Sequence, residues 1–204
     1  MESFPVINST LSATHLGVFL QGKYQLNNNA LCSLLKTGIN DSYLVTDGAD
    51  KYVFRIYSLN WRTEKEILEE IRLLNLLHEN HIPVSYPLTD RSGNYIQEFN
   101  APEGERFGVL FSFARGEKLL NFPVHLHYKV GEVMAQMHKL TTGLALERVT
   151  YTPERVLVES FEQLKKFLPA STEEMIFMTS TQKYLLDELE KADSNQLRSG
   201  AVHL

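Results

Sequence analysis

Apolar residues Leu16, Phe19 and Leu20 recur at helical spacing behind the polar positions Ser9, Thr10 and Ser12, which predicts a short capped helix over residues 12–21. Residues 31–36 are apolar but too few to choose between helix and strand. The period then shortens to two. Residues 43–46 and 52–57 are rich in β-branched and aromatic side chains, and Asp47-Gly48-Ala49-Asp50 supplies turn chemistry between them, so the pair predicts an antiparallel hairpin. Over 62–79 the period lengthens again: Ile67, Leu68, Ile71, Leu74 and Leu77 or Leu76 make an apolar stripe with charges opposite, the strongest helix signal in the chain.

Pro83 and Pro87 stop that helix, and Asp90-Arg91-Ser92-Gly93-Asn94 forms a turn between two short extended pieces within 86–99. A further strand is predicted over 107–113. The first half thus predicts an α+β unit of about five antiparallel strands with one long helix inserted after the third. Beyond it the pattern is helical: 124–141 and 154–168 are amphipathic, and the stretch to Ala192 opens with a capping box, Ser171 with Glu174, before Leu185, Leu186 and Leu189. The change predicts a sheet lobe over 1–113, a bendable connector over 114–122 carrying Ala114-Arg115-Gly116-Glu117-Lys118, and a helical lobe over 123–204.

Composition narrows the function classes. With 204 residues, 43% of them apolar, the chain has material for a packed core, and 20 Lys and Arg against 25 Asp and Glu leave a net charge of -5. No basic field for nucleic acid exists. No apolar run is long enough to cross a membrane, and Met1-Glu2-Ser3-Phe4-Pro5 lacks the start of a signal peptide. The single cysteine, Cys32, cannot form an internal disulfide, so a reducing, cytoplasmic setting is expected. Nothing in the sequence indicates an oligomeric state.

Three segments carry candidate chemistry. Within Thr37-Gly38-Ile39-Asn40-Asp41-Ser42, Gly38 lets backbone N–H groups approach a phosphate, with Asn40 and Ser42 as polar contacts, although an ordinary hairpin turn carries the same residues. In the strand 51–57, alternation puts Lys51, Val53, Arg55 and Tyr57 on one face and Tyr52, Phe54 and Ile56 on the other. Arg55 there can hold phosphate oxygens and Val53 can cover a flat purine, while the plainer reading is a solvated arginine on a half-exposed strand. The following helix offers Glu64, Glu66, Glu69 and Glu70. Glu66 and Glu70 share a face, Glu69 lies about 100 degrees from Glu70, and apolar neighbours favour Glu70 as a partner for Arg55.

Glycine-bearing turn, strand with a cation, helix with a carboxylate, hairpin, strand, connector and helical lobe stand in the order of a kinase-like small lobe and its continuation. In detail the segments resemble the aminoglycoside phosphotransferase, choline kinase and homoserine kinase-like superfamily. Thr37-Gly38-Ile39-Asn40-Asp41-Ser42-Tyr43-Leu44-Val45 is similar to its glycine and asparagine loop, Tyr52-Val53-Phe54-Arg55-Ile56 to its third strand, and Glu70-Ile71-Arg72-Leu73-Leu74-Asn75-Leu76-Leu77 to its glutamate-bearing helix. Arg106-Phe107-Gly108-Val109-Leu110-Phe111-Ser112-Phe113-Ala114-Arg115-Gly116-Glu117 resembles its last small-lobe strand, hinge and following glycine, and Gly131-Glu132-Val133-Met134-Ala135-Gln136-Met137-His138 its first large-lobe helix, with His138 as a packing residue.

The resemblance implies a protein-kinase-like two-lobed fold, ATP and Mg²⁺ as cofactors, and a small-molecule acceptor such as an aminoglycoside, choline or a homoserine-like compound. It implies that Gly38, Asn40, Asp41 and Ser42 lie over the phosphates, that Val53 covers the base, and that Arg55 is aimed by Glu70. Backbone groups of Ser112, Phe113 and Ala114 would take the adenine edge. Ser199-Gly200-Ala201-Val202-His203-Leu204 resembles the strand entering the family's catalytic loop, which would begin at His203. The catalytic aspartate and the Mg²⁺ ligands would follow Leu204. A chain without them is expected to bind nucleotide but not transfer phosphate, and to expose apolar surface on the helices after Val124. A non-catalytic, kinase-like binding or regulatory module is the alternative. From Glu154 to Asp193 acids outnumber bases, which suits a cationic acceptor or is an ordinary solvated helix face.

Overall fold

In the computed structural model, which describes residues 6, 8–116, 119 and 121–192, the polar residues ahead of the first apolar stripe do cap a helix. The Ser12 side chain accepts from the His15 N–H and starts α1 (Ala13–Lys23). Six strands follow: β1 (Leu31–Lys36), β2 (Asn40–Asp47), β3 (Asp50–Tyr57), β4 (Pro87–Leu88), β5 (Ile96–Ala101) and β6 (Gly104–Ser112), with α2 (Glu64–Glu79) inserted after β3. They form one antiparallel sheet in the order β1-β2-β3-β6-β4, with β5 also paired to β6. The sheet has one strand more than the expected five. The ambiguous run 31–36 extends because it pairs with β2 from Leu31↔Thr46 onward, a tertiary cause that six residues do not encode alone.

The two faces of this sheet have different partners. On one, Leu16, Leu20 and Tyr24 pack on Tyr43, Val45, Phe54, Ile56 and Leu110. On the other, Ile67 and Ile71 of α2 pack on Tyr57, Val109 and Phe111. Strand alternation does the sorting, as Phe54 and Ile56 go to the α1 side and Arg55 and Tyr57 to the α2 side. Gly108 on β6 is forced by the first core: a Cβ there would stand 2.6 Å from Phe54 Cζ and 2.8 Å from Phe99 Cε2.

Beneath the α1 side lies a buried ionic group. The Arg106 side chain has no exposed surface; its Nη2 meets Asp41 Oδ2 at 3.0 Å and its Nη1 meets Glu103 Oε1 at 3.3 Å. Its Nε donates to the Tyr57 carbonyl at 2.9 Å and its Nη1 to the Ser9 carbonyl at 2.6 Å. Glu103 in turn accepts from the Ser9 N–H and hydroxyl. The group therefore ties the segment ahead of α1 to β2, β3 and β6.

The chain divides into two compact units, Met1–Glu147 and Arg148–Leu204. In the first, α3 (Val124–Leu140) follows β6 and has no buried residue; Val124 and Tyr128 are 70% and 74% exposed. The 145–147 segment beyond it is tied to α2, where Glu69 Oε2 accepts from the Glu147 N–H at 3.1 Å, Arg72 donates to the Ala145 carbonyl and Lys65 pairs with Glu147. In the second unit the expected helix over 154–168 is shorter and irregular. A π-helical stretch, Glu154–Glu159, runs into α4 (Ser160–Leu164), and the wide turn is held by the Ser160 N–H and hydroxyl, both donating to the Arg155 carbonyl. Then α5 (Glu173–Lys191) is capped by Thr172, whose side chain accepts from the Met175 N–H, rather than by Ser171 as the capping-box spacing predicts. Phe161 and Met175 are buried in this unit, and Gln182 Nε2 donates to the Leu157 carbonyl at 2.7 Å. Glu117, Lys118 and Leu120 of the connector, Asp193, and Ser199 to Leu204 with His203 lie outside the described residues.

Replacing Arg106 by Met leaves two buried carboxylates without their cation, and is expected to lower unfolding stability by about 3–5 kcal/mol, read from the urea midpoint. Acid should act through Glu103. Burial alone raises its pKa, but the hydrogen bonds from Ser9 and the Arg106 charge outweigh that and hold it below the ordinary carboxylate value of 4.5. A lowered native pKa gives stability that is complete above the unfolded value and lost as pH falls through the native one. Urea midpoints should therefore drop in that acid range, and the Glu103→Gln variant should show a shallower drop.

Candidate functional site

On the α2 face of the sheet, the register lines up side chains from four strands. Ser42 stands opposite Arg55 and Arg55 opposite Val109, while the next row runs Leu44, Val53, Phe111 and Pro87. The second row is an apolar strip beside a cation. Above them, α2 is started by a reciprocal cap between Thr63 and Glu66 and is seated by Ile67 and Ile71. Glu70 is three positions from Ile67 and so shares its sheet-facing side.

There Arg55 Nη1 meets Glu70 Oε1 at 2.8 Å, with 33% of the arginine side chain and 18% of the glutamate side chain exposed. The Tyr57 hydroxyl donates to the other carboxylate oxygen, Oε2, at 3.2 Å. The guanidinium also lies over the Phe111 ring, 4.7 Å from its centre, and 5.9 Å from the centre of Tyr57. Burial by itself pulls the Arg55 pKa down, but Tyr57 and Glu70 favour the charged form and hold it above the ordinary value. Burial and then the Glu70 charge push the Tyr57 phenol up, so it stays a protonated donor. Arg55 is thus a fixed cation with part of its surface still open to a ligand.

The remaining candidates separate by face. Gly38 lies in the turn between β1 and β2, and a Cβ built there meets nothing within 4 Å, so the space beside the backbone is open. Ser42 is on the Arg55 side. Asn40 is tied inward, its Oδ1 accepting from the Ser58 N–H at 3.3 Å. Asp41 shares the opposite, α1 face with Tyr43 and Val45, and its carboxylate is held by Arg106. Glu69, beside Glu70 in sequence, pairs with Arg72 at 2.8 Å on the outer side of α2.

At the end of β6 the Ser112 N–H donates to the Tyr86 carbonyl at 2.9 Å, its hydroxyl oxygen accepts from the Tyr86 N–H at 3.0 Å, and its carbonyl accepts from the Ser85 hydroxyl. Its N–H, carbonyl and hydroxyl oxygen thus each bond to the 85–86 segment. Phe113 and Ala114 run on past the strand ladder, and Lys51 Nζ stands 5.7 Å from the Phe113 ring centre. His138 is exposed on α3 rather than packed, with its carbonyl accepting from the Thr142 hydroxyl. Among the described residues no three His, Cys, Asp or Glu side chains are grouped to hold a metal ion. Two open clefts of about 430 and 560 Å³ lie elsewhere, one around Ser58 to Thr63 and the other around Asp90 to Glu98, and neither is lined by Arg55 or Glu70.

Sequence reasoning placed Tyr57 on the face of Arg55 but not its bond to Glu70. It missed Phe111 and Leu44 in the same strip. Alternation along β3 reaches Tyr57, whereas Leu44 and Phe111 need the pairing registers of two other strands.

The model of a phosphotransferase enzyme family matches residues 33–203. Among curated relatives, an uncharacterized protein of Synechocystis sp. is 34% identical over 176 residues, 85% of this chain and 49% of the relative. One of Deinococcus radiodurans is 30% identical over 168 residues, 82% of this chain and 48% of the relative. The chain thus spans about half the length of the curated relatives it matches. Among solved structures, a microcompartment-associated aminopropanol kinase has a TM-score of 0.70 at 19% identity, covering 87% of this chain and 57% of that one. Amicoumacin kinase hAmiN in complex with AMP-PNP, Ca²⁺ and Ami has 0.70 at 18%, covering 93% and 55%, and spectinomycin phosphotransferase in complex with ADP and spectinomycin 0.60 at 16%, covering 94% and 60%. At those identities the likeness shows a shared kinase-like fold, and no described helix here is long and apolar enough to cross a membrane. On the match over residues 33–203, the chain belongs to the phosphotransferase enzyme family.

Proposed function

We propose that this chain carries the nucleotide-binding part of an ATP-dependent kinase for the hydroxyl group of a small molecule in a cytoplasmic setting. The observation that carries the reading is the Arg55–Glu70 pair, a strand cation aimed by a helix carboxylate beside an apolar strip. A half-exposed ion pair adds only about 0–1 kcal/mol to stability, so its fixed direction matters more than its strength. It presents a cation held in place before the ligand arrives.

In this reading Arg55 takes phosphate oxygens. Leu44, Val53 and Phe111 form the apolar wall for the base. The open space at Gly38, with Ser42 behind it, admits the phosphates, and the backbone of Phe113 and Ala114 takes the adenine edge. Because Ser112 is already bonded to residues 85–86, the adenine contact falls to those next two residues. The connector over 114–122 would then separate the nucleotide lobe from the helical lobe.

Bound Mg²⁺ would neutralise charge on the phosphates, but the described residues offer no cluster for it. Residues of the catalytic loop, which the family pattern would start at His203, would orient the acceptor hydroxyl. The kinases of similar fold act on an aminopropanol, amicoumacin and spectinomycin by their names, which supports an amino-alcohol or antibiotic-like acceptor. The acidic excess on the second unit suits such a cation.

Removing the guanidinium with Arg55→Ala is expected to weaken ATP binding about 10- to 100-fold in calorimetric titration, the range for a charged hydrogen-bonding group. Unchanged affinity in a folded variant would sink the assignment of Arg55. The 204-residue chain alone, given ATP, Mg²⁺ and a panel of amino alcohols and aminoglycosides, is expected to release no ADP above the background rate in a coupled assay. Turnover by it would show that the acceptor side is already complete.

A further inference from the structure

The Glu70 carboxylate is shared. One oxygen takes Arg55 Nη1 at 2.8 Å and the other takes the Tyr57 hydroxyl at 3.2 Å, so each oxygen has its own donor. A carboxylate with one partner can rotate about its last bonds, whereas donors on both oxygens fix its plane. Tyr57 is well suited to supply the second one. The residue is 2% exposed and packed among Ile67, Ile71, Val109 and Phe111, so the hydroxyl is delivered from a rigid ring rather than from a mobile surface group. Tyr57 also follows Arg55 by two residues on β3, which makes the strand itself set the spacing between the two donors.

Tyr57 itself is set back from the ligand side. Its ring lies in the core under α2, while a third of the Arg55 side chain is exposed. The hydroxyl therefore acts on a bound phosphate through Glu70 and Arg55.

From this geometry we infer that Tyr57 is a positioning residue, whose phenol locks the Glu70 carboxylate so that Glu70 holds Arg55 toward the nucleotide phosphates. The inference rests on the reading of Arg55 as the phosphate-holding cation. It adds a third member to the pair, on the same strand as the cation. It also separates two duties in one side chain: the ring packs the core and the hydroxyl sets the direction of a carboxylate.

Tyr57→Phe removes one oxygen and keeps the ring, so the core under α2 stays filled. The test measures binding of Mg-ATP and of adenosine to the 204-residue chain by calorimetry, for wild type, Tyr57→Phe, Glu70→Gln, the double variant and Arg55→Ala. Tyr57→Phe should weaken ATP about tenfold and leave adenosine within twofold, since only the phosphates meet Arg55. In the Glu70→Gln background the same change should cost less than twofold, because the hydroxyl has lost the carboxylate through which it acts. Equal loss of ATP and adenosine would make Tyr57 a packing residue and overturn the inference, as would full ATP affinity in Tyr57→Phe while Arg55→Ala is impaired. If wild type fails to bind ATP, or Arg55→Ala binds it as wild type does, the nucleotide reading itself fails and the role of Tyr57 falls with it. Should Tyr57→Phe unfold, 4-fluorophenylalanine at position 57, which fills the hydroxyl's space without a donor, carries the same comparison: a loss confined to ATP supports the inference and a loss shared with adenosine overturns it.

Discussion

Strand β3 is paired along both edges, to β2 and to β6, and this double pairing is the constraint on which the sheet unit depends. A strand fixed on both sides cannot slip by one residue without exchanging its two faces. Phe54 and Ile56 would leave the core under α1, and Arg55 would be driven into it. The register that buries the apolar residues is therefore the same register that sets Arg55 opposite Ser42 and Val109 and within reach of α2. Core formation and site formation are one event.

Two arginines in this unit show how environment divides a shared chemistry. Arg106 is wholly buried, and its partners Asp41, Glu103, Tyr57 and Ser9 all lie inside the unit, so it serves as a fixed structural clasp. A buried ion pair gains little over an apolar substitute of equal size, but a partner left alone is costly, which makes the clasp demanding of complete satisfaction. Arg55 keeps only part of itself in such contacts, with Glu70 on one side and Phe111 and Tyr57 against its plane. Arg55 is held in one direction and leaves a third of its side chain exposed. The two meet at Tyr57, whose carbonyl accepts from Arg106 and whose hydroxyl donates to Glu70.

Much of this was legible in the sequence because it depends on short periods. Alternation along β3 separated Arg55 from Phe54 and Ile56, and the 3.6-residue stripe through Ile67 and Ile71 placed Glu70 toward the sheet and Glu69 away from it. What escaped depends on partners distant in the chain. The burial of Asp41 is decided by Arg106, sixty-five residues on, so a loop that reads as a set of phosphate contacts splits between two faces. The strand at 31–36 needed β2, and the start of α5 needed the local geometry of Thr172, both beyond what spacing alone reports. The groups at Ser112 were spent on Ser85 and Tyr86, a contact made possible only by the course of the chain into β4.

The brace on α2 carries the same logic one step outward. Glu70 faces Arg55 while its neighbour Glu69 accepts from the Glu147 N–H and pairs with Arg72, which reaches the Ala145 carbonyl. Consecutive carboxylates on one helix therefore face the sheet and the segment that follows α3. A helix held from both sides cannot rotate to bring Glu70 away from Arg55 without breaking contacts at Glu69. Those outer contacts are exposed, with Lys65 and Glu147 each about two-thirds open to solvent, and salt screens them far more than the inner pair. The helix angle at Glu70 is then fixed mainly by Ile67 and Ile71 in the core, with the outer contacts as a weaker guide. That ranking assigns the direction of the site cation to apolar packing first and to surface charge second.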